Sequence, residues 1–170
     1  MAFLFTGKRE ENREANCPVI SGPKSLELSG VEYLVVTEQE GPAQTFEIRF
    51  DCHFSPFKQA LLVGGVLAVG HEEHFYLYSL PEKRNILVLK MDGYFGSFVH
   101  HEGCFYVADA VGIHCLAADG ALRWLSPPLG VDGVIMHDIT DQHIRGSGEW
   151  DPPGGWEDFL VDRHTGALLD

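Results

Sequence analysis

Basic residues are scarce in this chain: 12 lysines and arginines stand against 25 aspartates and glutamates, for a net charge of −13. No stretch gathers them into the basic stripe that a phosphate backbone requires, which argues against nucleic-acid binding. Long apolar runs are also lacking, and none nears the roughly 18 residues of a membrane span. The apolar start "MAFLF" precedes "GKREENRE", the reverse of the order in a secretory signal. The four cysteines, Cys17, Cys52, Cys104 and Cys115, form no close pair. Zinc-knuckle and redox-pair spacings are therefore missing, and a cytoplasmic protein with reduced thiols is expected. There is no Gly-x-Ser-x-Gly elbow, no phosphate loop and no Rossmann fingerprint, and helical periodicity is nearly absent. No catalytic residue is assigned.

What the chain does have is β-type patterning. Its 170 residues, 45% of them hydrophobic, suffice for one core. Residues 1–30, with "KREENRE" and "SGPKS", read as an irregular lead-in, and 31–170 as a single β-repeat domain. From Val31 onward, runs of Val, Ile, Leu, Phe and Tyr alternate with Gly, Asp and Pro turns, among them 31–37, 45–50, 60–70, 74–80, 85–91, 94–100, 104–109 and 112–118. Further runs follow at 121–125, 133–139, 142–147, 156–162 and 166–170. The expected fold class is all-β and antiparallel.

Three stretches, 67–93, 106–133 and 143–170, repeat the order strand, turn, strand, turn, strand, and their starts lie 39 and 37 residues apart. A period of about 40 residues with three or four strands per unit predicts propeller-like blade repeats. "AADGALRW" (117–124) is similar to the Asp…Gly-x-x-x-Trp turn and strand of the quinoprotein-like (PQQ-like) β-propeller repeat. "VDRHTGALLD" (161–170) resembles its fuller Asp-x-x-Thr-Gly form, with Asp170 where tryptophan would stand. The resemblance implies that Trp124 packs between blades. The first repeat departs from it, since "LPEKRNILVL" lacks Asp, Gly and Trp. The family's quinone-dependent dehydrogenase activity goes with longer chains, a calcium site and a secretory route, none of which this sequence displays. With an earlier hairpin at 31–50 the repeats make three to four short blades, the lower limit for a propeller. The ring is then small and closed, open, or completed by a homodimer.

The most unusual stretch is "GSGEWDPPGGWEDF" (146–159). Pro152 and Pro153 remove two donors and fix φ, and the following glycines permit a reversal, so a stiff tip is expected. Two readings stand open. Trp150 and Trp156 close over the prolines as a small structural core, or they form, with Glu149, Asp151, Glu157 and Asp158, a preformed anchor for a basic protein partner. The proline-containing turn 125–133 is expected beside this loop. Nine histidines offer a competing site. His71 and His74 of "HEEH", with His100 or His101, could hold zinc or iron if a turn brings them together. Cys104 or Cys115 beside a histidine could form a thiolate pair, although a buried strand cysteine is the commoner fate. The leading expectation is a non-catalytic protein-binding module, of the type of an immunity protein that neutralises a basic toxin. The alternatives are a metal-dependent lyase or hydrolase using the histidines, and a structural subunit assembling through blade edges.

Overall fold

The computed structural model describes residues 1–7, 17–21, 30–37, 42–51 and 56–169. Among them there is no helix, and so none long and apolar enough to cross a membrane. The strands form four antiparallel sheets. The first contains β1 (Ala2–Thr6), β2 (Gly30–Thr37) and β3 (Gln44–Phe50) in the order β1-β2-β3. The second is a meander of β4 (Lys58–Val63), β5 (Val66–His71), β6 (His74–Ser79) and β7 (Arg84–Lys90). The third repeats it with β8 (Phe95–His101), β9 (Cys104–Asp109), β10 (Ile113–Ala117) and β11 (Leu122–Leu125). The fourth has β12 (Val134–Ile139), β13 (His143–Glu149) and β14 (Trp156–Asp162), with Leu168 bridging to Val161 where a fourth strand would lie.

The sheets stack face to face because their middle strands are apolar on both faces. In β5, Leu67 and Val69 join Leu34, Val36, Phe46 and Ile48 of the first sheet, while Ala68 turns to the third. In β9, Phe105 and Val107 meet Phe75 and Leu77 of the second sheet, and Tyr106 and Ala108 meet Ile144 and Val161 of the fourth. Side chains alternate across a strand, so a strand buried on both sides reads as a near-continuous apolar run. That is why "FYVA" and "FYLY" show no polar alternation. Among the described residues no buried cluster joins the fourth sheet to the first.

The run 60–70, continuous in hydropathy, is in fact the β4–β5 hairpin. Gly64 and Gly65 have φ of +56° and +81°, the left-handed pair that a two-residue hairpin needs. The lead-in also contributes structure: β1 pairs along β2, and 17–21 lies along β3, where Ile20 N donates to Glu47 O and Glu47 N to Pro18 O. "CH" at 52–53 lies outside the described residues.

Strand sense separates the first sheet from the other three. β8 begins where Phe95 N donates to Glu72 O, beside the β5–β6 turn. Tyr94, just before β8, donates to the carbonyl of Asp132, just before β12. β4, β8 and β12 therefore all start at one end of the stack, called basal below. In the first sheet, Glu32 at the start of β2 meets Lys58 at the start of β4, and Phe5 and Phe50 near the ends of β1 and β3 lie on His71. β1 thus runs against β4. The three aligned sequence stretches correspond to the three sheets of common sense, each stretch beginning on the second strand of its sheet.

Candidate functional site

The basal end carries the 149–155 loop, and the sequence around it explains its fixed shape. β13 can pass close to the preceding connector because Gly148 has no side chain; a methyl there would lie 1.7 Å from the Leu129 carbonyl oxygen. The connector 126–133 is consequently stitched to the loop, as expected: Val131 N donates to Glu149 O at 2.7 Å and Glu149 N to Gly133 O at 2.9 Å. On its other side, Leu129 N donates to Val111 O and the Ser126 hydroxyl accepts from Ile113 N. Within the loop, Trp150 N donates to Gly155 O, Gly155 N to Asp151 O, and Gly154 N to the Glu149 carboxylate at 2.7 Å. Pro152 and Pro153 form the exposed tip.

Trp150 is 42% exposed and Trp156 43% exposed, and neither stacks on the other. Trp156 instead leans on Gly133, where an added methyl would sit 3.1 Å from its ring and 3.4 Å from the Tyr94 hydroxyl. Tyr94 is in turn stacked on Phe57 at 6.2 Å between centroids, and Phe57 is half exposed. A ribbon of aromatic surface thus runs from Phe57 through Tyr94 to Trp156, with Trp150 exposed on the loop that precedes Trp156. Burial, and beyond it the Asp132 and Glu149 carboxylates, push the Tyr94 phenol above its ordinary range. Asp151, Glu157 and Asp158 are exposed, and Glu149, directly across from Trp156, is half-buried.

Tyr94 and Phe57 were not legible as site residues in sequence. The available signal was the Asp-Gly pair repeated at 92–93 and 132–133, each just before the first strand of a sheet. Tyr94 is held by a buried clamp one turn away. Asp109 accepts from Asp92 N, from Val111 N and Gly112 N, and from His114 Nε2 at 2.8 Å. Burial opposes ionisation of Asp109, but these donors outweigh it and hold the carboxyl below its usual range.

The four candidate histidines, His71, His74, His100 and His101, are not gathered into one metal centre. The β5–β6 turn does place His71 and His74 opposite each other, but on side chains already engaged. His71 shares a 2.6 Å hydrogen bond with Glu32, which also accepts from Lys58, and His74 stacks on Tyr76. Burial lowers both imidazoles below their ordinary range. His100 and His101 end β8 at the opposite, apical end, roughly 20 Å away for a strand of this length. They also face opposite sides: His100 packs on Phe105, and His101 points to Asp141 at 3.5 Å. His101, Glu102 and Asp141 do bring ligand-type atoms within 4.8 Å of one another. Glu102 there is committed to the buried guanidinium of Arg163 at 2.6 Å.

Of the two candidate thiolate pairs, Cys104 does stand directly across from His101 in the β8–β9 register, whereas Cys115 is not paired with its histidine. His114 and Cys115 are neighbours on one strand and so face opposite sides of the sheet. Burial, followed by the neighbouring Cys104, pushes the Cys115 thiol up to about 12. A cavity between the first two sheets, lined by Val36, Phe46, Leu62, Leu67 and Leu80 among others, presents no ionisable side chain. Searches with this sequence match no protein-family model and no curated protein.

Proposed function

We propose that this chain is a non-catalytic binding module that captures a basic protein partner on its basal aromatic surface. The observation that carries the reading is two tryptophans, each more than two-fifths exposed, on a loop whose backbone is hydrogen-bonded to itself and to the adjacent connector. Large exposed aromatics on a preordered backbone lose little entropy on binding and are typical anchors of interfaces. Charge points the same way. Residues 126–162 contain eight carboxylates and one arginine, so this part of the chain carries over half of the net charge of −13. Such a field steers a basic partner toward the surface and disfavours an acidic one. Neutralisation of a basic toxin, as immunity proteins do, fits this chemistry. The propeller-like, PQQ-like reading of the fold is supported by Trp124, which packs between the third and fourth sheets as the resemblance implies.

The test is the double variant Trp150→Ala/Asp151→Ala, compared with the parent chain for capture of proteins from a basic, cation-exchange-retained fraction and for thermal unfolding. Loss of capture with the melting temperature retained is expected. A drop of several degrees with capture unchanged would mark the loop as a structural clasp and sink the proposal.

A second reading, a zinc- or iron-dependent lyase or hydrolase, now rests on His101 with Glu102 and Asp141 rather than on the four histidines together. The Arg163 guanidinium opposes a cation there. Native mass spectrometry of protein purified without chelator decides it: a stoichiometric metal favours the enzyme, and the subunit count reads the homodimer in the same spectrum.

A further inference from the structure

We infer that the basal ribbon is an arginine-reading groove: an extended, arginine-bearing segment of the partner lies along Phe57, Tyr94, Trp156 and Trp150, with its guanidinium groups stacked on the rings and paired with the flanking carboxylates. The inference rests on the binding-module reading and names the chemistry its partner must bring.

Three observations lead there. First, the aromatic surface is longer than the loop. Phe57 precedes the second sheet, Tyr94 the third, and Trp156 begins the last strand of the fourth, so the ribbon crosses three sheets. Its pieces are joined by the Phe57–Tyr94 stack, the Tyr94 hydrogen bond to Asp132 O and the contact of Trp156 with Gly133. A footprint that crosses successive sheets suits an extended segment better than a single inserted side chain. Second, the rings are rimmed by carboxylate. Glu149 and Trp156 are directly paired across β13 and β14, and Glu157 and Asp158 follow Trp156 on the same strand. Asp132 lies at the Tyr94 hydroxyl and Asp151 follows Trp150. Third, the exposed faces are aromatic. A lysine ammonium is satisfied by carboxylates alone, whereas a planar guanidinium gains from stacking on a ring while forming paired hydrogen bonds to a carboxylate. The surface offers both close together, at Trp156 with Glu149 directly across from it and Asp158 two residues on along the same face, and at Trp150 with the adjacent Asp151.

The experiment is a tryptophan-fluorescence titration of the full chain with hexa-arginine, hexa-lysine and hexa-glutamate peptides at low and physiological salt. Trp124 is buried, so a change in emission on peptide addition reports mainly on Trp150 and Trp156. Hexa-arginine is expected to bind about tenfold tighter than hexa-lysine, and hexa-glutamate not at all. Phe57→Ala, a change at a half-exposed side chain distant from the loop, should weaken hexa-arginine about threefold, and Trp156→Ala about tenfold. Melting curves of both variants check that they are folded, and Trp156→Phe should recover most of the loss. Equal affinity for the arginine and lysine peptides would overturn the inference, as would indifference to Phe57→Ala. If basic proteins are still captured and the Trp150→Ala/Asp151→Ala variant still loses them, only the arginine chemistry has failed. If neither peptide binds and no basic protein is captured, the binding-module reading fails with it.

Discussion

Replacing Gly166 by alanine strikes the junction of the third and fourth sheets in two ways. Gly166 has φ of +72°, and a methyl group there would lie 2.4 Å from the Trp124 ring. A side chain in the left-handed region costs about 1–2 kcal/mol. Overpacking costs about a further 1–3 kcal/mol when the neighbour cannot yield. Trp124 has little room to yield: its Nε1 donates to Arg163 O at 3.0 Å and its ring packs on Tyr106 at 5.8 Å. The expected loss is therefore about 2–5 kcal/mol. For a chain of this length, with about 2–4 °C per kcal/mol, the melting temperature should fall by roughly 4–20 °C. Gly64→Ala supplies the control, because Gly64 also has positive φ, +56°, but nothing lies within 4 Å of the added methyl. Only the backbone penalty remains there, a fall of roughly 2–8 °C. Differential scanning calorimetry of both variants, and of Gly166→Ala combined with Trp124→Leu, separates the two terms. The combination should cost less than the sum of its parts. Equal losses for Gly166→Ala and Gly64→Ala, with strict additivity in the double variant, would refute the packing of Trp124 against this turn.

Stability should also fall on mild acidification. Burial holds His71 below its ordinary 6.5, so the unfolded chain binds a proton near that value that the folded chain refuses. Its contribution is complete above pH 6.5 and is lost as pH falls toward the folded value; Glu32, also lowered, adds a loss in the same direction below 4.5. Urea unfolding at pH 7.5, 6.5 and 5.5 should show a shallower pH slope for His71→Asn, the remainder coming from His74 and His100; an unchanged slope would clear His71 of the role. Cys115, with its thiol pushed up to about 12, should resist a thiol reagent at pH 8 in the native chain. Fewer than four thiols should then titrate before urea and four after it, and rapid reaction of all four without denaturant would contradict the burial.

Much of the fold was legible residue by residue. The apolar runs 104–109 and 112–118 became β9 and β10 nearly as bounded, because β-branched and aromatic residues between Gly and Asp turns leave few other solutions. The run 60–70 misled because hydropathy counts glycine as neutral, whereas the left-handed φ at Gly64 and Gly65 divides it into a hairpin. The turn 125–133 was expected beside loop 149–155 on its proline content, and backbone hydrogen bonds from Val131 and to Gly133 join the two. The lie of Trp156 against Gly133 did not follow, since it depends on a residue more than twenty positions earlier in the chain.

The histidines show the same division. Spacing alone indicated that a turn could set His71 against His74, and the turn does so. That His100 and His101 lie at the far end of the stack depends on the direction in which β8 runs, and strand sense leaves no mark on composition or periodicity. By itself the sequence determined the secondary structure class, the blade-sized repeat, the acidic surface and the stiff tryptophan loop, because each is set by local backbone chemistry or by a sum over residues. Only the tertiary structure decided that the first sheet runs in reverse, that Phe57 and Tyr94 extend the loop into a ribbon, and that Arg163 occupies the one carboxylate His101 shares with its own turn. Those outcomes rest on side chains meeting across sheets, where contact is set by stacking and register rather than by distance along the chain.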